Sequence, residues 1–78
     1  MEKQTDILLT DVPVGTRVRI RRLALQPEMT TRLRELGFSE DSVIRPLTQS
    51  NGSIVCEVHN SRIGLNHAVA RSILVSAL

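Results

Sequence analysis

Met29-Thr30-Thr31-Arg32-Leu33-Arg34-Glu35-Leu36-Gly37-Phe38 reads as a short helix with its own stop signal, set among segments that read as strands. Pro27 suits the first helical position, where a missing N–H costs nothing. Met29, Leu33 and Leu36 recur at i, i+4 and i+7, within about 40° of one another at ~100° per residue, while Arg34 points nearly opposite, into solvent. Gly37 supplies the left-handed residue that ends the helix, and Phe38 follows where a Schellman cap places an apolar contact back to Leu33. The spacing predicts a helix over about 27–36 whose exit is locked to the core by the chain's one aromatic ring.

Upstream, Asp11-Val12-Pro13-Val14-Gly15 is a turn cluster leading into a strand. From Thr16 the sequence alternates, with Arg17, Arg19 and Arg21 on one side and Val18 and Ile20 on the other. Arg21-Arg22 breaks that alternation before Leu23 and Leu25, which calls for a bulge or a strand end. Downstream of the helix, Ser39 to Ser42 is a polar turn and Val43 to Thr48 a second strand, in which Pro46 demands an edge position or a bulge. Asn51-Gly52 signals a type I′ hairpin. Ile54, Cys56 and Val58 then share one face of a strand, opposite Ser53, Val55, Glu57 and His59. Asn60-Ser61 suggests a second tight hairpin into Ile63 and Leu65. Asn66 caps a helical turn over about 67–71, and Ile73-Leu74-Val75 forms the last strand. About five short strands with one small helix are most simply a mainly β structure, an SH3-like antiparallel β-barrel whose closure protects its strand edges.

At 78 residues the chain is one domain. Residues 1–5 are polar and read as a flexible leader, with the barrel domain over 6–78. Cys56 is the only cysteine, which excludes an internal disulfide and a cysteine-rich zinc site. No window approaches 18 consecutive apolar residues, so direct membrane insertion is not expected and the protein reads as soluble and cytoplasmic. Nine of the ten basic residues are arginine, the exception being Lys3. Arginine's planar fork suits carboxylates and phosphates, although an arginine-favouring genome produces the same skew.

Catalytic constellations are missing from the sequence. Glu57 and His59 share a strand face, but no nucleophile stands at a defined spacing from them, and Cys56 lies on the opposite face. His59, His67, Glu57 and Cys56 match no zinc spacing. Gly15, Gly37, Gly52 and Gly64 are isolated, so there is no phosphate-cradling loop. The reading is therefore non-enzymatic, with no catalytic, cofactor or metal residues. The Arg17/Arg19/Arg21 stripe, with side chains ~6.6–6.8 Å apart, is the one directional electrostatic feature. It suits an acidic surface or a phosphate backbone; a solvated strand face neutralised by acids such as Glu57 is the alternative. Small barrels that bind single-stranded nucleic acid add stacking aromatics, and here Tyr and Trp are missing.

The ordered pattern of Leu9, Val14-Gly15, Val18-Arg19-Ile20, Arg32-Leu33 with Leu36-Gly37-Phe38, then Leu65, Ala70, Ile73 and Val75 resembles the ferrous iron transport protein A (FeoA) family over Ile7 to Val75. The chain departs from that family in carrying Glu40-Asp41 where a Pro-Gly-like turn is common, Asn66 where a basic residue is common, and a shortened loop at Gln49 to Gly52. The resemblance implies an accessory or regulatory role in bacterial ferrous iron uptake. The implied partner is the membrane permease that carries a cytoplasmic GTP-binding domain, reached by protein contact rather than by tight iron binding. On that reading Arg17, Arg19 and Arg21 steer docking, and Leu23 and Leu25 add contact area, unless Leu25 packs under the following loop. The alternative is a nucleic-acid-associated or transcription-regulatory SH3-like domain. Homo-oligomerisation through exposed strand edges is compatible with the first of these readings.

Overall fold

The computed structural model describes residues 6–78, so the leader assigned to residues 1–5 lies outside the described residues. Six strands follow one another as β1 (Ile7–Leu8), β2 (Val18–Leu23), β3 (Val43–Ser50), β4 (Ser53–Val58), β5 (Ser61–Asn66) and β6 (Ile73–Ala77). Helix α1 (Pro27–Glu35) joins β2 to β3, α2 (His67–Ala70) joins β5 to β6, and a 3-10 turn (Leu9–Asp11) follows β1. All pairings are antiparallel in the order β1-β6-β2-β3-β4-β5, so the structure is mainly β as expected. The SH3-like sheet wraps without closing, and β1 and β5 are its two edges. The strand beyond the expected five is β1, whose two residues are too few to show a period.

Two irregularities shape the sheet. Ile20 faces Val75 and Arg22 faces Leu74, leaving Arg21 as an extra residue in β2. In β3, Pro46 faces Cys56 and Thr48 faces Val55, so Leu47 is extra. The first residues of β3 pair with β2 and the rest with β4, so one strand serves both halves of the sheet. Bulges raise the local twist and bend of a strand, which a shared strand needs. The missing N–H of Pro46 is absorbed at this bulge, while its carbonyl accepts the Gly15 N–H at 2.7 Å.

Val18 and Ile20, Ile44, Ile54 and Cys56, and Val75 point inward and are at most 2% exposed. Helix α1 reaches this core through Leu33, with Met29 partly buried, and Phe38 just beyond the helix is buried there too. Both bonds of a Schellman cap are present: the Phe38 N–H donates to Leu33 O at 2.8 Å and the Gly37 N–H to Arg34 O at 3.1 Å. Leu36, expected on the apolar stripe, is instead 43% exposed at the helix C-cap. The reversal at Gly37 folds Phe38 back over Leu33, filling the space that a further helical turn would have covered. Gly37 has φ 104°, and a Cβ there would stand 2.8 Å from His59 Cδ2 and 3.3 Å from Val58 Cγ2.

The turns differ from expectation in detail. Asn51 keeps a negative φ and only Gly52 is left-handed (φ 87°), so that hairpin is not type I′. The positive φ pair sits at His59 (52°) and Asn60 (68°), one residue before the expected Asn60-Ser61, with Val58 facing Ser61 across the turn. Asp41 also has a positive φ, 75°, in the turn closed by the Ser42 N–H to Ser39 O bond. That turn docks on β2: the Asp41 N–H donates to Ile20 O and the Ile20 N–H to Ser42 O. As the sequence indicated, Asn66 caps α2, its Oδ1 accepting the Val69 N–H at 2.8 Å.

Gly37→Ala should lower unfolding free energy by about 1–2 kcal/mol from the left-handed backbone, with a further loss from the contact with His59 and Val58. In urea titrations Gly64→Ala, where a Cβ meets nothing within 4 Å, should not lose stability. Burial pushes the Cys56 thiol up to about 11 from 9.0. The unfolded chain releases that proton first, so stability present below pH ~9 is lost as pH rises towards ~11, by up to about 1.4 kcal/mol per unit. Cys56→Ala should flatten that slope in urea titrations across the same window.

Candidate functional site

The outer face of the sheet is where charge gathers. Val18 and Ile20 are buried, so Arg19 in β2 and Arg17 just before it face outward. The bulge then exposes Arg21 and Arg22 together, where an unbroken strand would turn Arg22 towards the core. It also restores Leu23 to the inward side, opposite Ile73. Leu23 and Leu25, expected as contact area, are half-buried and pack against the core. Arg19 Nη1 donates to Asp41 O at 3.3 Å, tying the stripe to the turn after α1.

A second line of charge crosses the strands. Arg45 faces Glu57, and Glu57 faces Arg62, across β3, β4 and β5. Arg45 Nη2 donates to Glu57 Oε1 at 2.7 Å, and both side chains are more than a third exposed. Arg45 Nε is buried with no hydrogen-bond partner among the described residues, an unmade bond that costs about 1–3 kcal/mol. Arg17 lines the same cleft of about 250 Å³ as Arg45, Glu57 and His59. Arg17, Arg45 and Arg62 therefore share this row with Glu57, the one acidic residue in any of the described strands, in a chain whose formal charge is +2. The other acids lie off the strands: Glu28 and Glu35 on α1, Asp41 in the turn that bonds to β2 beside Arg19, and Glu40, which pairs with Arg34 at 3.0 Å. The Arg34 hydrogen bond holds the Glu40 carboxyl below its ordinary range.

Glu57 and His59 do not share a strand face. β4 ends at Val58, and His59 enters the turn with its ring against Gly37. Cys56 is fully buried beneath the sheet. Among the described residues no three His, Cys, Asp or Glu side chains come together as a metal site would require. No helix there is long and apolar enough to cross a membrane. Arg22, Arg45 and Arg62 are the members of the face that strand-by-strand reading missed. Broken alternation at Arg21-Arg22 was the only local signal for the first, and cross-strand register alone brings in the other two.

The fold and the arginine row together define a small SH3-like β module with basic side chains across its sheet. The FeoA domain family matches residues 7–77, and the chain belongs to that family. Comparison with curated protein sequences returned no match. Among solved structures, a manganese-dependent transcriptional repressor superposes with a TM-score of 0.88 at 22% identity, covering 100% of this chain and 45% of the repressor. The FeoA protein from Chlorobium tepidum has a TM-score of 0.86 at 20% identity, covering 92% of this chain and 70% of its own. Iron(II) transport protein A from Clostridium thermocellum has a TM-score of 0.84 at 27% identity, covering 92% of this chain and 46% of its own. The chain thus spans less than half the length of the repressor and of the clostridial protein. Family membership associates it with ferrous iron transport.

Glu57→Gln should cost about 0.2–1 kcal/mol in low salt, because Arg45 and Arg17 lose the carboxylate between them and Arg62. Added salt should recover part of the loss in thermal melts by screening the arginines from one another.

Proposed function

We propose that this chain is a non-enzymatic accessory protein of bacterial ferrous iron uptake, acting in the cytoplasm by docking on the GTP-binding part of the membrane iron permease. The observation that carries this reading is the row of Arg17, Arg45 and Arg62 across the sheet with Glu57 as its one carboxylate, continued along β2 by Arg19, Arg21 and Arg22. Arg17 beside Arg45 sets like charges together, which weakens a sheet unless a partner supplies acids. Arginine forks are weakly hydrated and grip carboxylates in two places, so the face is suited to close contact and not only to steering. FeoA family membership supplies the link to iron. Leu23 and Leu25 contribute by fixing β2 against the core, and the contact itself falls to the arginines.

The same face could meet nucleic-acid phosphates, and the likeness of fold to the repressor favours this as the second reading. One experiment separates the two. Arg19→Glu combined with Arg21→Glu should weaken binding to the permease's isolated GTP-binding domain at least tenfold in calorimetric titrations, with an unchanged melting temperature. Unchanged affinity would remove the basic face from the contact. Tighter binding to duplex DNA than to that domain, falling steeply with salt, would favour the second reading.

A further inference from the structure

We infer that the open edge of β5 receives an extended segment of the docking partner as an added strand, with an acidic residue opposite Arg62 and an apolar one opposite Gly64. This rests on the docking reading above and names the chemistry of what docks.

The edge can be read from the β4–β5 ladder. Val58 and Ser61 close a two-residue turn, and six consecutive pairs follow without a shift from Val58/Ser61 to Ser53/Asn66. Beyond them, the His67 N–H donates to Gly52 O at 2.9 Å. In an antiparallel ladder hydrogen-bonded and non-hydrogen-bonded pairs alternate. Position 67 bonds towards β4, so Leu65, Ile63 and Ser61 do too. Arg62 and Gly64 therefore turn their N–H and C=O groups away from β4, towards the side on which no strand lies.

Apart from the charge of Arg62, nothing blunts this edge in the usual ways. β5 has no proline and no bulge, and its six residues contrast with the two of β1 at the other edge. Arg62 and Gly64 are exposed, and no atom comes within 4 Å of where a Gly64 Cβ would stand. Side-chain chemistry then selects the occupant. On the outer face Arg62 ends the row that runs from Arg17 and Arg45 through Glu57, so an incoming strand meets positive charge at that register. Two positions along, Gly64 lies beside half-buried Val55 and leaves it uncovered on that side, a space for an apolar side chain. Main-chain bonds supply the attachment and alternate side chains the selectivity. A second copy of this chain fits poorly, since β5-to-β5 pairing would join two basic rows.

Amide hydrogen exchange, measured by NMR on the full chain with and without the permease's isolated GTP-binding domain, tests the assignment. Exchange at Arg62 and Gly64 should slow at least tenfold on binding, while Ser61, Ile63 and Leu65 change little. Gly64→Pro, which removes an outward N–H, should lose at least tenfold in affinity; Gly64→Ala, which keeps it, should stay within threefold. If Gly64→Pro does not fold, Arg62→Glu should show the same loss of affinity. Binding with Arg62 and Gly64 exchanging as in the free chain overturns the strand addition and leaves the docking proposal standing. Protection that appears without the domain and grows with chain concentration assigns the edge to self-pairing and also overturns it. Absence of any binding overturns both.

Discussion

Between α1 and the rest of the chain, direction is reversed at one residue, Gly37, whose φ of 104° only glycine adopts without strain. That reversal lets Phe38 bond back to Leu33 and bury its ring completely, which contributes on the order of 2–3 kcal/mol. It also aims the following turn at β2, where Ile20 exchanges backbone bonds with Asp41 and Ser42. The missing side chain makes room for His59, so the helix end and the β4–β5 turn approach closely. Helix, turn and distant hairpin are coupled through a position that holds no side-chain atoms.

Two bulges do for the sheet what Gly37 does for the helix. Leu47, beside Pro46, bends β3 enough to serve both halves, and a strand without that irregularity would leave the sheet flatter and its core thinner. Arg21 works differently, as it changes which side chains are wet. By inserting one residue it keeps Arg22 in solvent and returns Leu23 to the core. The basic face is thus a product of the same irregularity that completes the hydrophobic packing, and neither could change without the other.

Electrostatics and topology then converge on one end of the sheet. Five of the nine arginines lie in strands, and every described acid but Glu57 lies in a helix, turn or loop, so the sheet is more positive than the total charge of +2 indicates. Arg45 holds Glu57 with one arm and leaves its Nε buried without a partner, a cost that an isolated fold has no reason to keep. The row containing that pair ends at β5, the longer free edge. A partner engaging the charged face along this row arrives beside backbone groups that lack partners, which is the physical link between the proposed docking role and the proposed strand addition.

Local chemistry was legible where neighbours in the chain decide it. The Pro27 start, the Gly37 stop, the Phe38 contact, the Asn66 cap, the irregularities at Arg21-Arg22 and Pro46, and the buried alternation of Ile54, Cys56 and Val58 all follow from residues a few positions apart. The family pattern follows from their order. Leu36 was misread because a helical period continues only while the helix does. His59 was misplaced because a tight turn can slide by one residue when either position tolerates a positive φ. Arg45 and Arg62 escaped notice altogether, since a strand read alone shows which face a side chain takes and never which strand lies beside it. Short-range sterics and periodicity set the elements, their caps and their inward faces. The row from Arg17 to Arg62 and the free edge at β5 came with the fold, because register and strand order are set by packing among residues far apart in the chain.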